Sequence, residues 1–452
     1  MEPAPQVEPD ADAAAPGVTL RWTPRFVLGL LAVAVLASGF AIAFRGGLSF
    51  FLSLASATDV VAAMASAPWA LRLVLPAVGG LLAGLIGVVV ARAPAGHGVG
   101  DVMEAVVLGR VRLSVRVTLL KSLASFLAIA CGGSLGREGP LIQFGGASGK
   151  LVGQRLKLAA IDARVLIAAG SAAGFAAAYN TPFAAVLFVV EVVTGVMALD
   201  VVVPTLLATL IASAVTRAVL GAGPLYGQRA FQLGSSWELL AFAGLGIVAA
   251  LGAQGFMRLL SAGEDLFRAR LPLPWRPAVG GLLAGAVIAF LPEVAGNGFE
   301  PLNRLLDGKL ALGFIALLLV GKCFATTASV GSGSPGGVFT PTLLVGGALG
   351  YLFASGLAVL GIPVGPPGGY ALVGMAAATA ASVHAPLLAA VMAFELSGDY
   401  AIVLPLLLAT SLAALVSRSL RRDSIYTAEL SARGIAWELT VDGRRLEPRK
   451  DG

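Results

Sequence analysis

The sequence predicts an all-α protein that crosses a membrane many times and is built from two related halves. Three observations carry that reading. Only 12% of the 452 residues are charged while 57% are hydrophobic, and the mean hydropathy is +0.89. Soluble domains carry about 25% charged residues. Long apolar stretches recur along the whole chain, which fits many spans better than one anchor. The stretch PAVGGLLAG at Pro76–Gly84 returns unchanged at Pro277–Gly285, 201 residues later.

Residues 1–18 (MEPAPQVEPDADAAAPGV) are acidic, rich in Ala and Pro, and have no apolar run. They are expected to be disordered, and they lack the basic start of a signal peptide. Arg21 and Arg25 then precede the first apolar run, Phe26–Phe44, a flank that places the N-terminus in the cytoplasm. Further apolar stretches lie near 73–91, 117–131, 165–190, 201–220, 239–257, 278–292, 310–320, 341–362, 370–394 and 401–417. Several are short or broken by Gly and Pro, which at membrane depth requires backbone that lines a cavity or is buried in protein. Arg418, Arg421, Arg422, Arg433, Arg444, Arg445, Arg449 and Lys450 mark a cytoplasmic C-terminal tail. The expected organisation is a disordered N-terminus at 1–24, membrane repeats at 25–222 and 223–420, and a tail at 421–452.

The repeat reaches beyond its identical core. Gly96-x-Gly98 recurs as Gly296-x-Gly298, Lys121 as Lys322, and Pro140 as Pro341. Gly145, Gly146, Ala147 and Gly149 recur as Gly346, Gly347, Ala348 and Gly350. Gly170, Pro182 and Glu191 recur as Gly374, Pro386 and Glu395. Two halves with interruptions at matching positions mark a repeat-built transporter, whose substrate site is expected at the interface of the halves near midplane.

The residues that carry chemistry sit at these interruptions. Residues 131–149, CGGSLGREGPLIQFGGASG, set Arg137 and Glu138 among glycines before Pro140. A charge at membrane depth costs about 2.5–3.5 kcal/mol on insertion scales and marks a functional site by default. Gly followed by Pro suits a loop turning into a helix N-terminus, where bare amides attract anions. The segment Gly336-Gly337-Val338-Phe339-Thr340-Pro341 is its counterpart, with Phe339 where the first half has Glu138. Two helix starts thus converge on one site able to hold an anion by partial charges, binding without trapping. Glu138 competes there as a tethered anion. Gly96-His97-Gly98-Val99-Gly100-Asp101 supplies a third glycine-rich approach. Glu191 and Glu395, each ending an apolar run, are expected to cap or pair locally. Tyr426, just past the last run, reads as an interfacial tyrosine outside the spans.

Other classes are set aside by pattern. GGASGKL at 145–151 fails the phosphate-loop motif, because Phe144 and Leu151 stand at its first glycine and its hydroxyl position. GSGSPGG at 331–337 breaks the nucleophile-elbow spacing. His97 and His384 are the only histidines, and Cys131 and Cys323 the only cysteines, so neither a histidine-rich metal site nor a disulfide framework is expected. No enzyme activity, metal, cofactor or nucleic-acid partner is expected.

Taken together, these motifs resemble the CLC family of chloride channels and chloride/proton antiporters, of prokaryotic type. GHGVG at 96–100, GREGP at 136–140 and GVFTP at 337–341 match its three anion-site motifs, and the likeness runs from about residue 27 to 435 through Asn180-Thr181-Pro182, Glu191 and Tyr426. The resemblance implies two inverted repeats of tilted, broken helices and a homodimer with one pore per subunit. It also implies a tail, residues 421–452, too short for paired CBS domains. It makes Glu138 the gate, and His97, Gly98, Gly136, Arg137, Gly139, Gly337, Val338, Phe339 and Tyr426 the anion-binding set. Tyr426 would offer its hydroxyl to the central anion. His97 replaces the family's central serine, Gly100 the proline, and Asp101 the usual glutamate. Val192 replaces the antiporters' inner proton glutamate. The resulting expectation is a chloride conductor, channel-like or weakly proton-coupled, in a prokaryotic plasma membrane. The alternatives are a chloride/proton antiporter using another inner route, with Asp101 and Asp200 as substitutes, and a fluoride exporter. In the fluoride branch methionine is typical where His97 stands.

Overall fold

The structure, a computed structural model, describes residues 20, 22–90, 98–109, 113–221, 223, 225–227, 231, 235–440 and 443–448. Residues 1–19 and 21 of the expected disordered N-terminus, and His97 of the expected anion set, lie outside the described residues.

The first half runs through α1 (Pro24–Ser53), α2 (Val60–Ser66), α3 (Trp69–Leu85), α4 (Val99–Val107) and α5 (Val115–Ala130). It continues through α6 (Glu138–Arg155), α7 (Ala160–Tyr179), α8 (Pro182–Leu187, extended by a π-helical stretch Phe188–Thr194) and α9 (Leu199–Leu220). The second half runs through α10 (Glu238–Arg270), α11 (Trp275–Phe290), α12 (Phe299–Leu306) and α13 (Leu312–Gly331). It ends with α14 (Phe339–Val359), α15 (Pro367–Val383), α16 (Pro386–Ser397) and α17 (Val403–Leu420). Eight helical segments among the described residues are long and apolar enough to cross a membrane. At 9 and 8 residues, α4 and α12 are far too short to do so.

Matching signals produce matching elements. α8 and α16 both open on proline, whose missing amide costs nothing in the first turn. α7 and α15 both end on a left-handed residue, Asn180 at φ 59° and His384 at φ 61°. The two copies of PAVGGLLAG, on α3 and α11, pack against each other. A Cβ on Gly80 would lie 2.0 Å from the carbonyl oxygen of Pro277, and one on Gly84 2.5 Å from that of Pro274. A Cβ on Gly281 would lie 2.1 Å from Pro76 O, and one on Gly285 2.2 Å from Leu73 O. Position rises along one helix as it falls along the other, so the pair is antiparallel, and like residues exchange like contacts. Only a two-fold axis perpendicular to the helices does both, and the halves are therefore inverted.

Glu191 and Glu395 obey the same axis. Glu191 accepts from the amides of Leu387 and Leu388 (3.2 and 2.7 Å) at the start of α16. Glu395 accepts from those of Phe183 and Ala184 (3.1 and 2.8 Å) at the start of α8. Each carboxylate satisfies orphan amides of the other half's helix. They cap across the interface instead of locally.

The tail departs from the all-α expectation. After α17 the chain forms α18 (Ile425–Ala432) and then an antiparallel hairpin, β1 (Ile435–Thr440) with β2 (Gly443–Pro448). Ser424 and Thr427 close a reciprocal capping box at the start of α18. This helix returns into the protein, and Tyr426 is 3% exposed. Tyr426 is therefore a core residue and not the interfacial tyrosine its sequence position suggested.

Backbone this close leaves no room for a methyl group. Gly80→Ala and Gly281→Ala are each expected to destabilise the protein by about 3 kcal/mol, the upper end for over-packing. Gly39→Ala, where a Cβ meets nothing within 4 Å, is expected to be neutral. Thermal unfolding of the detergent-solubilised variants checks this, and equal stability for all three would contradict the packing.

Candidate functional site

The N-termini of α6 and α14 meet head to head on the two-fold axis. Gly136 N–H donates to Gly337 O (2.6 Å) and Gly337 N–H donates to Gly136 O (2.8 Å). Glu138 and Phe339, repeat equivalents, are the first residues of the two helices. The Glu138 side chain crosses the axis. Its Oε1 accepts from the amides of Phe339 (2.8 Å) and Thr340 (3.3 Å), and its Oε2 accepts from Thr340 Oγ1 (3.1 Å). Thr340 Oγ1 also lies 2.8 Å from Tyr179 Oη. A threonine hydroxyl has one proton, so when it donates to an ionised Glu138 it must accept from Tyr179.

Glu138 is 1% exposed, and backbone amides, a hydroxyl and the α14 helix dipole hold it in these contacts. A Cβ on Gly136 or Gly337 would sit 2.2 or 2.0 Å from a carboxylate oxygen. Glycine at both positions is thus what lets the carboxylate in.

The structure brings most of the expected set to this point. Gly98, left-handed at φ 81°, caps α4, and a Cβ there would lie 3.2 Å from Gly139 O, so α4 begins beside the first turn of α6. Gly139 and Val338 are buried next to the crossing. Arg137 is half-buried at the N-cap of α6, within electrostatic reach of Arg45 and Glu300. Phe339 packs edge-on against Phe175 (5.6 Å between ring centroids), Phe175 stacks on Phe188 (5.2 Å), and Phe188 meets Tyr426 edge-on (6.4 Å). Tyr426 joins Phe339 through that aromatic chain and lies within electrostatic reach of Glu138. Val192 is buried in the π-helical stretch that carries Phe188.

Below the crossing opens a cavity of about 780 Å³, lined by Val338, Ile425, Asp101, Lys121, Gln143, Glu429 and Arg433 among others. Asp101 Oδ2 accepts from Gln143 Nε2 (2.7 Å) and Lys121 Nζ (3.2 Å), and its Oδ1 accepts from Arg433 Nη1 (2.7 Å). Arg433 also pairs with Glu429 and lies 3.7 Å from Glu104. Burial by itself would raise the Asp101 carboxyl, but the charges of Lys121 and Arg433 outweigh it and hold it below the usual carboxylate range.

Sequence reasoning missed Thr340 as the carboxylate's partner and Tyr179 behind it, took Arg433 only as a tail charge, and missed Glu104 and Glu429 altogether. A hydroxyl one residue past Phe339 was a legible signal for Thr340. Nothing in the spacing of the others pairs them.

Residues 79–418 match the family model described as voltage gated chloride channel. The chain belongs to the CLC family. A putative chloride channel protein ClcB-like from Ralstonia nicotianae is 39% identical, over 82% of this chain and 88% of that relative. The voltage-gated ClC-type chloride channel ClcB of Salmonella typhimurium is 34% identical over 88% and 96%. Among solved structures, that of a slow cyanobacterial Cl−/H+ antiporter superposes with a TM-score of 0.82 at 26% identity, covering 91% of this chain and 99% of that one. A CLC-type fluoride/proton antiporter shares the fold, with a TM-score of 0.73 at 22% identity over 89% and 96%. CLC-type chloride transport by a multi-pass membrane protein is therefore this chain's function.

Asp101 ties α4 to α5, α6 and the tail, so Asp101→Asn takes the carboxylate from Lys121 and leaves Arg433 to Glu429 and Glu104. The expected loss is about 1.5–3 kcal/mol at neutral pH. Because the folded-state titration is depressed, Asp101 contributes fully above the ordinary carboxylate range and loses that contribution as pH falls through the lowered value. The stability gap between wild type and variant, followed by thermal unfolding, should close on acidification. A gap independent of pH would contradict the assignment.

Proposed function

We propose that this CLC protein exchanges chloride for protons, with Glu138 acting both as the gate and as a proton acceptor. The observation that carries this reading is the place of the Glu138 carboxylate. It occupies the amides that open α14, the donors an anion would use. Ionised, Glu138 fills the site. Protonated, it gives up its charge-assisted bonds and leaves the amides to chloride. Proton and chloride thus alternate at one position, with Phe339 and Tyr426 as the apolar and hydroxyl-bearing walls of the path.

The expectation of weak coupling rested on Val192, which cannot titrate. Of the proposed substitutes, Asp101 is held ionised by two cations, and Asp200 is exposed at the start of α9 and is not among the cavity's lining residues. Glu429, however, lines the cavity, so a titratable group is present near the path after all. The likeness to a structure described as a Cl−/H+ antiporter supports exchange as well. Uncoupled conduction remains the second reading, favoured by Val192 itself. Arg268, Arg421 and Arg433 line the cavity, which supports its opening to the cytoplasm of a bacterial cell. The likeness to CLC proteins supports a homodimer with one path per subunit.

In liposomes with a chloride gradient and no other driving force, the protein is expected to move protons uphill, and Glu138→Gln to abolish both proton movement and the pH dependence of chloride efflux. Chloride flux without proton movement would decide for uncoupled conduction. A variant that keeps the wild-type pH profile would remove Glu138 from the gate.

Thr340→Val removes one of the donors that hold ionised Glu138. A hydrogen bond to a charged group contributes about 1.5–3 kcal/mol, or about one to two pH units. Efflux rises as pH falls, and its half-maximal point should move to higher pH by that amount. A shift to lower pH, or none, would count against the gate as described.

A further inference from the structure

We propose that Glu429 is the cavity-side proton acceptor, taking a proton from cavity water and passing it to Glu138. The inference rests on the exchange reading above. Glu429 lies on α18 one turn past Tyr426, and Tyr426 is within electrostatic reach of both Glu138 and Glu429. Residues three apart share a helix face. The Glu429 side chain lines the cavity yet is only 11% exposed. Its Oε1 pairs with Arg433, while its buried Oε2 has no hydrogen-bond donor. That oxygen rests on Gly100 in the first turn of α4, where a Cβ would sit 2.9 Å from it. Gly100, which stands where the motif it resembles has proline, makes the room.

The groups facing Glu429 set its chemistry. Asp101 and Glu104 come from α4, Lys121 from α5, neutral Gln143 from α6, and Arg433 from just beyond α18. Among the described residues, Glu429 shares Arg433 with Asp101 and Glu104, so its cation is divided among three carboxylates. Asp101 has both oxygens engaged by Lys121, Gln143 and Arg433. Glu104 is 1% exposed and is not among the lining residues. Glu429 is the member that combines contact with the cavity and an oxygen free to bind hydrogen. In the transfer, a proton leaves water for Glu429 Oε2, giving the neutral acid. That O–H bond then breaks as the proton returns to water, a water relay delivers a proton to the Glu138 carboxylate, and Glu429 returns to its ion pair with Arg433.

Simultaneous chloride and proton fluxes from liposomes test this. Glu429→Gln is expected to raise the chloride-to-proton flux ratio at least tenfold, while Glu429→Asp keeps it within about twofold of wild type. Glu264→Gln, in the same cavity but outside the cluster, should leave the ratio unchanged. If Glu429→Gln does not fold, Gly100→Ala displaces the carboxylate without altering its charge and should raise the ratio at least threefold. A wild-type ratio in Glu429→Gln, or in Gly100→Ala where that variant stands in, overturns the role of Glu429 and leaves exchange standing. A wild-type protein that moves no protons overturns both.

Discussion

Everything in this structure converges on two helix N-termini that face each other across a two-fold axis with one carboxylate between them. Two N-termini meeting head to head present like partial charges, and their amides have no intrahelical acceptors. Something negative has to lie between them. Here it is Glu138, the first residue of one helix bonded to the first two residues of the other. The glycines at 136 and 337 follow from that demand, because any side chain at either position would occupy the carboxylate's space.

The axis also explains why function depends on broken symmetry. Where the halves match, they do the same structural work: α3 against α11, Glu191 and Glu395 each capping the other half, and glycines drawing α6 to α7 and α14 to α15. Where they differ, chemistry appears. Phe339 stands opposite Glu138, so the site holds one tethered anion and not two mutually repelling ones. Lys121 binds a carboxylate, Asp101, at the cavity, whereas its equivalent Lys322 is fully buried and donates to the carbonyls of Val294 and Gly296 (3.0 and 2.8 Å). One lysine belongs to a charged network that faces water, and the other ties down backbone.

Much of this was legible in the sequence because it is written in backbone requirements. Glycine before proline, a repeated nonapeptide and a charge in an apolar run each constrain a few consecutive residues, and together they located Glu138, Phe339 and the two halves, whose inversion came only from the family resemblance. What was not legible depends on contacts between distant residues. Arg433 reaches Asp101 across 332 positions, and no local pattern announces it. Tyr426 looked interfacial because the apolar run ends before it, whereas α18 folds back into the protein. The hairpin after it carried a modest signal, alternation in IAWELT followed by Asp442-Gly443, which an all-α reading passes over.

The substitutions that set this chain apart from its family's motifs read differently once α18 is in place. Taken singly, glycine for proline at 100 looks like a loosened helix start, and valine at 192 like a lost function. The structure links the first to Glu429, whose carboxylate fills the space a side chain at 100 would take. A group that titrates can be lost at one position and regained at another, provided the second position opens to water and lies close enough to the same gate. Glu429 lines the cavity and lies one helical turn from Tyr426, which feels the gate's charge. Moving a titratable group from the wall at 192 to the helix at 429 demands only two coordinated features, a carboxylate on α18 and a bare backbone on α4, and this chain has both.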